Sequence, residues 1–313
     1  MNQEIGLQSF FIPLWLMILG IPLIFIELLV VISTVISLII TKVSKKDFTR
    51  FRKKLKEKID NWSKIKKDTY RKFNHVLIFI GLLILWYTSL SIVKFYAGAI
   101  DGMIPEENNM LLLYLRIINE PNSIINVLFS LGWFYYILFF FFYALCLLML
   151  ANEFTRKSHF FTFPFNIFPQ LYLSNREEEN YGTYLYFNIG QMFAAFICPP
   201  MVFFTILGIS SISDLVTSQV GIRYGTSYIL WNKKKTWEGS LAGMITTFII
   251  CFFFIGIYWG VIFSILYLGF DIFTDKPFKL SDNLIIPIGC SLTYVLLRFF
   301  INFNYYSIIL QWF

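Results

Sequence analysis

Charge is scarce in this chain. Only 14% of its 313 residues are Asp, Glu, Lys or Arg, against about 25% in an ordinary soluble domain. Histidine is scarcer still, with only His75 and His159, so a zinc site built from Cys and His has too few ligands. The four cysteines, Cys146, Cys198, Cys251 and Cys290, stand singly in apolar stretches with no CxxC pair. They read as small buried hydrophobes, and neither a disulfide framework nor a metal cage follows from them. There is no GxxxxGK[ST] phrase, which excludes a P-loop of the Walker type. Alternating segments of ~10 residues are also missing, which excludes a transmembrane barrel. The opening "MNQEIGLQSF" has no basic n-region, and the apolar run after it outlasts an h-region and ends in no small-residue cleavage site. The first segment is therefore expected to be retained.

What is present is apolar length. Hydrophobic residues make up 57% of the chain and aromatics 20%, with a mean hydropathy of +0.66. Several runs reach the roughly 20 residues that cross a bilayer. The expected fold class is all-α: a polytopic, multi-pass integral membrane protein with seven to nine transmembrane or re-entrant helices. No repeat of 20–50 residues is visible.

The first apolar segment covers about 9–40, with Gly20 and Pro22 as break points. Residues 42–72 follow, with fourteen Lys/Arg and four Asp/Glu. Phe48, Phe51, Leu55, Ile59, Trp62 and Ile65 recur every three or four positions, which predicts one apolar face on a basic helix. Two readings stand side by side: an amphipathic interfacial helix against anionic lipid headgroups, or a solvated juxtamembrane linker. The positive-inside rule explains a basic loop here and places it in the cytoplasm, so nucleic acid is not an expected partner.

Further apolar segments are expected at about 74–98 and 123–151, and again at 183–212, where Pro199-Pro200 must split the run into two short helices. The run at 241–270 is followed by a last segment to the C-terminus. As one straight helix, 241–270 would be about 45 Å long, too long for a core of roughly 30 Å. It would also carry Asp282 to the far side of the membrane. A break near Gly256–Gly260 is therefore expected.

Four polar islands interrupt this pattern: "DTYRKFNH" (68–75), "SDLVTSQVGIRYG" (213–225), "KKKTWEGS" (233–240) and "LSDNLIIP" (280–287). Ionisable residues at the ends of apolar segments are functional candidates. Chemistry on a nucleoside triphosphate needs acids for Mg²⁺, cations for the phosphates and backbone that can approach them closely. Asp214, Glu238 and Asp282 are candidate acids; Lys72, Arg223 and Lys235 are candidate cations; Gly221, Gly225 and Gly239 are candidate close backbone. Each also has a plainer reading. Lys233 and Lys234 suit a charged collar, His75 an interfacial histidine, Asp214 a helix cap, and Gly221 and Gly225 close helix packing.

Taken in order, the islands resemble the motifs of the CTP-using lipid-alcohol kinases: dolichol kinase, phytol kinase and CTP-dependent diacylglycerol kinase. This family lies within the wider phosphatidate cytidylyltransferase group. Its Arg-Lys-x-x-His phrase is matched by Arg71, Lys72 and His75. Its Gly-Asp…Gly-x-Arg-x-Gly is matched by Ser213-Asp214 and by Gly221, Arg223 and Gly225. Lys-[Ser/Thr]-x-x-Gly-Ser is matched by Lys235, Thr236, Gly239 and Ser240, and Asp-Asn-x-x-x-Pro by Asp282, Asn283 and Pro287. The likeness spans about 68–295. Ser213 replaces the family's glycine and Ser281 a frequent first Asp, while Asp271 stands where the family carries an upstream acid. The His-Gly-Gly…Asp-Arg phrase of bacterial-type cytidylyltransferases is absent from 260–313.

The resemblance implies a membrane-embedded catalytic domain at 68–313, preceded by a membrane segment and basic linker at 1–67. It implies transfer of the γ-phosphate of CTP or ATP to a polyprenol-like alcohol or diacylglycerol. Asp214 and Asp282 would hold Mg²⁺, and Asp214, Lys235 and His75 would be catalytic. Arg223, Lys235, Glu238, Gly239, Ser240 and Lys72 would bind nucleotide. The site would face the cytoplasm, from the endoplasmic reticulum in a eukaryote or the plasma membrane in a prokaryote. Two alternatives stay open: a cytidylyltransferase making a CDP-lipid, and a non-catalytic transporter or scaffold.

Overall fold

The computed structural model describes residues 21–44, 54, 57–58, 61–97, 109–112, 115, 132–157, 181–274 and 281–309. The chain is mostly helical. Its main helices among the described residues are α1 (Ile21–Ser44), α2 (Lys64–Ala97), α3 (Gly132–Lys157), α4 (Thr183–Ile197), α5 (Pro200–Gly208), α6 (Asp214–Tyr224), α7 (Trp237–Ile255), α8 (Ile257–Phe273) and α9 (Asp282–Ile301). Among the described residues, four apolar stretches are long enough to cross a membrane: Ile65–Ser91, Pro200–Tyr224, Trp237–Ile255 and Asp282–Ile301. Three more are shorter, Leu23–Ile36, Ile137–Glu153 and Ile257–Phe273.

The breaks have local causes. Helix α2 begins at Lys64, earlier than the expected 74, because Ser63 caps it: its Oγ accepts from the Lys66 amide at 3.3 Å. Cys198 and Pro199 are extended, and Pro200 opens α5 where a missing amide costs nothing. Helix α5 passes through a π-helical turn, Ile209–Ser213, into α6. Such turns are rare and frequent at functional sites.

The expected break in the 241–270 run falls at Gly256, whose φ of 95° and ψ of 170° lie in a region essentially reserved for glycine. A Cβ there would sit 3.0 Å from the Tyr306 carbonyl oxygen. The reversal sends α8 back along α7, so the last turn of α8 reaches the first turn of α7. Gly256→Ala is expected to lower stability by about 1–3 kcal/mol; thermal unfolding checks this, and an unchanged midpoint would contradict the strain.

One element departs from the all-α expectation. Tyr228–Ile229 and Asn232–Thr236 pair as a two-stranded antiparallel hairpin between α6 and α7. The Asn232 amide donates to the Thr274 carbonyl at 2.8 Å, and Trp231 stacks on Phe273 at 5.8 Å. These contacts fasten the hairpin to the end of α8. The core is aromatic: Phe142 meets Phe203 edge-on at 5.7 Å, and Trp86 lies 5.4 Å from Phe204. Helix α4 packs on α3 and α9, and α7 on α6 and α8. Of the amphipathic face expected in 42–72, Phe48, Phe51, Leu55 and Ile59 lie outside the described residues.

Candidate functional site

Two lysines from distant islands anchor the site. Lys72, on α2, donates to the Asp214 carboxylate at 2.7 Å and to the Asp214 carbonyl at 2.9 Å. That contact joins α2 to the start of α6, across 142 residues of sequence. Lys235, at the end of the hairpin, bonds to the Asp271 carboxylate, to Asp282 at 3.1 Å and to the Thr274 hydroxyl at 3.1 Å. It thereby ties the hairpin to the ends of α8 and α9. Ser240, in the first turn of α7, donates to the other oxygen of Asp271 at 2.5 Å.

The two centres form one electrostatic cluster. The charges of Lys72, Asp282 and Lys235 all act on Asp214, and both lysines act on Asp282. Burial works against the Lys235 ammonium, but the carboxylates of Asp282 and Asp271 outweigh it and hold its pKa above the ordinary lysine range. Lys235 therefore stays cationic at neutral pH. Two lysines and three aspartates meet where α2, the hairpin and the ends of α6, α8 and α9 converge.

The other sequence candidates fall around this cluster with different roles. His75 is buried one turn beyond Lys72, stacked on Phe187 at 3.8 Å, and its Nδ1 has no hydrogen-bond partner among the described residues. Glu238 faces away from the aspartates: its carboxylate accepts from the Thr226 amide (3.2 Å) and hydroxyl (2.7 Å) and from the Ser227 amide (3.0 Å). It closes the connection between α6 and the hairpin. The Gly239 amide donates to Thr236, which caps α7, at 3.4 Å. A Cβ on Gly239 would lie 2.7 Å from the Thr217 carbonyl oxygen and 3.1 Å from the Gly221 Cα, so Gly239 and Gly221 let α6 and α7 touch backbone to backbone. A Cβ on Gly225, just past the end of α6, would lie 2.6 Å from Thr236. Arg223 is exposed in the last turn of α6.

Other partners in this region stood outside the candidate set. Asp271 bridges Lys235 and Ser240; the sequence marked it only as an acid upstream of Asp282-Asn283, with no role assigned. Thr217 shares a 2.7 Å hydrogen bond with Tyr267, fixing α6 to α8. Asp68 bonds to Ser218 and pairs with Arg71 at 3.2 Å, a second clamp between α2 and α6. Neither threonine, tyrosine nor serine of these pairs belonged to a recognisable motif.

Among the described residues, no three His, Cys, Asp or Glu side chains converge into a metal cage. The carboxylates of Asp214 and Asp282, the two expected metal ligands, are each bonded to a lysine, Asp214 to Lys72 and Asp282 to Lys235. No protein-family model, curated protein or solved structure matches the chain.

Proposed function

We propose that this protein is a multi-pass membrane lipid kinase that moves the γ-phosphate of CTP or ATP onto the hydroxyl of a polyprenol-like alcohol or diacylglycerol. The observation that carries the reading is the convergence of Lys72, Asp214, Lys235, Asp271 and Asp282 from five separate segments. Buried ion pairs are costly to desolvate and weak as stability devices. Their concentration at the ends of apolar helices marks a place where charge is used.

In this reading the four long and three shorter apolar helices lie in the bilayer, within a total of seven to nine segments. The active face is cytoplasmic, on the side of Lys233, Lys234 and the basic 42–72 stretch. That stretch would meet anionic headgroups.

Lys235 and Lys72 neutralise phosphate oxygens, since phosphoryl transfer depends mostly on positioning and charge stabilisation. Mg²⁺, held by Asp214 and Asp282, would supply further neutralisation of the triphosphate when bound. The acceptor oxygen attacks the γ-phosphorus, the bond to the β-phosphate oxygen breaks, and CDP leaves when CTP is the donor. His75, whose buried Nδ1 has no partner among the described residues, takes the hydroxyl proton. Asp271 and Ser240 hold Lys235 in place.

Purified protein supplied with γ- or α-labelled CTP and a panel of lipid alcohols tests this directly. A kinase sends the γ label to lipid and leaves CDP. Transfer of the α label with release of pyrophosphate would establish the cytidylyltransferase instead, and no transfer to any lipid would favour a non-catalytic protein.

A further inference from the structure

Next to the ionic cluster lies a second group of buried polar side chains, and none of them is a carboxylate, lysine or arginine. Gln191 of α4 is 0% exposed, and neither atom of its amide has a hydrogen-bond partner among the described residues. Three more buried atoms share that state: His75 Nδ1 on α2, Asn188 Oδ1 on α4 and Ser211 Oγ in the π-helical turn. The Asn188 amide nitrogen is committed elsewhere, donating to the Tyr184 carbonyl at 2.7 Å. Buried polar groups are nearly always paired, with protein or with ordered water.

Four packed segments bring these atoms together. His75 stacks on Phe187, and Gln191 follows Phe187 by one turn on the same face of α4. A Cβ on Gly190 would sit 2.9 Å from the Asn283 carbonyl oxygen and 3.0 Å from Pro287, so α9 meets α4 beside Gln191. Pro287 has no N–H, so the Asn283 carbonyl, four residues earlier, lacks its usual helical donor. On the α2 side, Lys72 bonds to Asp214, and a Cβ on Gly208 would lie 3.3 Å from the Phe79 ring. Helix α2 thus runs antiparallel along α5, the π turn and α6. His75 and Ser211 are each midway between those two contacts, which sets them level with one another.

We infer that these groups form a site for bound water, held between His75, Gln191, Ser211 and the Asn283 carbonyl, with Gln191 as a positioning residue for His75. The chemistry of the atoms selects the ligand. Gln191 Oε1, Asn188 Oδ1 and the carbonyl accept, Gln191 Nε2 donates, and the Ser211 hydroxyl does either. An anion calls for donors and a metal ion for acceptors; a neutral molecule that is both donor and acceptor uses the mixture. A buried water takes about three such partners. Water held by Gln191 bonds to Nδ1 and fixes which ring nitrogen of His75 carries the proton. The water site rests on the packing. Its use rests on the kinase reading, in which the acceptor hydroxyl gives its proton to the water as the water gives one of its own to Nδ1.

The test is brief X-ray radiolysis of the purified full chain in detergent, mapped by mass spectrometry, in which radicals formed from bound water oxidise the side chains beside it. Phe187 is expected to be oxidised although buried, while Phe204 and Phe263, buried in the apolar core, are not. Gln191→Leu should abolish oxidation at Phe187 while circular dichroism retains the helical signal, and Ser211→Ala should do the same. Phe187 left unmodified in the wild type, or oxidised to the same extent in Gln191→Leu, overturns the inference. Should Gln191→Leu fail to fold, the same comparison with Ser211→Ala decides. The chain has only two histidines, so nitrogen NMR of isotope-labelled histidine reads the His75 tautomer. Gln191→Leu should shift its Nδ1 resonance, and an unchanged resonance would contradict the positioning role. If Phe187 behaves as expected while no lipid receives γ label, the kinase reading falls and the water site stands.

Discussion

Lys235→Met is expected to abolish γ-label transfer and to destabilise the fold at once. The ammonium sits between Asp271 and Asp282, with Ser240 on the far oxygen of Asp271. Asp271 is 1% exposed at its side chain. Methionine keeps the apolar stem but takes the ammonium away from both Asp271 and Asp282. Breaking one partner of a buried pair costs about 3–5 kcal/mol. A cation on a transferring phosphoryl group is worth about 10³–10⁵ in rate where it has been supplied by arginine, and a loss of at least that lower bound is expected here. Adding Asp271→Asn to Lys235→Met separates the two effects. The double variant removes the more deeply buried of the two charges, so thermal unfolding should recover part of the loss while transfer stays absent. Recovery of transfer in the double variant would show that Lys235 acts only as structural glue.

Gly239→Val should be nearly as damaging, by a different route. The added Cβ would meet the Thr217 carbonyl oxygen at 2.7 Å and the Gly221 amide nitrogen at 3.2 Å. Both are backbone, so no rotamer change relieves the clash, and α6 must move away from α7. Overpacking of this kind costs about 1–3 kcal/mol. The functional consequence is larger than that figure, because α6 carries Asp214 and the strand leading into α7 carries Lys235. Separating them should reduce γ transfer by at least 10²-fold, the scale on which a misplacement of about 1 Å acts. Gly239→Ala should fall between the two. Wild-type transfer in Gly239→Val would mean that the close approach of α6 and α7 plays no part in the site.

Much of the arrangement is legible in the sequence. Pro199-Pro200 and Gly256 each break an apolar run for a reason written in one residue type: proline lacks the donor, and glycine tolerates φ 95°. The Gly256 reversal is what returns Asp271 and Asp282 to Lys235, as the length of the 241–270 run required. Lys72, Asp214, Lys235 and Asp282 could be picked out because charge is rare in so apolar a chain.

Other features were hidden for equally physical reasons. The hairpin at 228–236 has strands of two and five residues, too short to show a period, and it exists because Asn232 and Trp231 dock onto α8. Glu238 and Asp271 are both acids beside a glycine-containing helix end, and only side-chain geometry separates them: Glu238 ties down Thr226 and Ser227, whereas Asp271 enters the cluster. Likewise Gly239 could be read as phosphate-facing backbone from its motif, while its neighbour across 18 residues, Gly221, shows it also to be a packing contact.

The most direct measurement is the fate of labelled CTP on the purified full chain with a long-chain alcohol, in the wild type and in Asp214→Asn. The expected result is γ label on the lipid and CDP in solution for the wild type. In Asp214→Asn that transfer should be lost, while circular dichroism retains the helical signal. Equal γ-label transfer by both proteins, or α label on the lipid, would contradict the account.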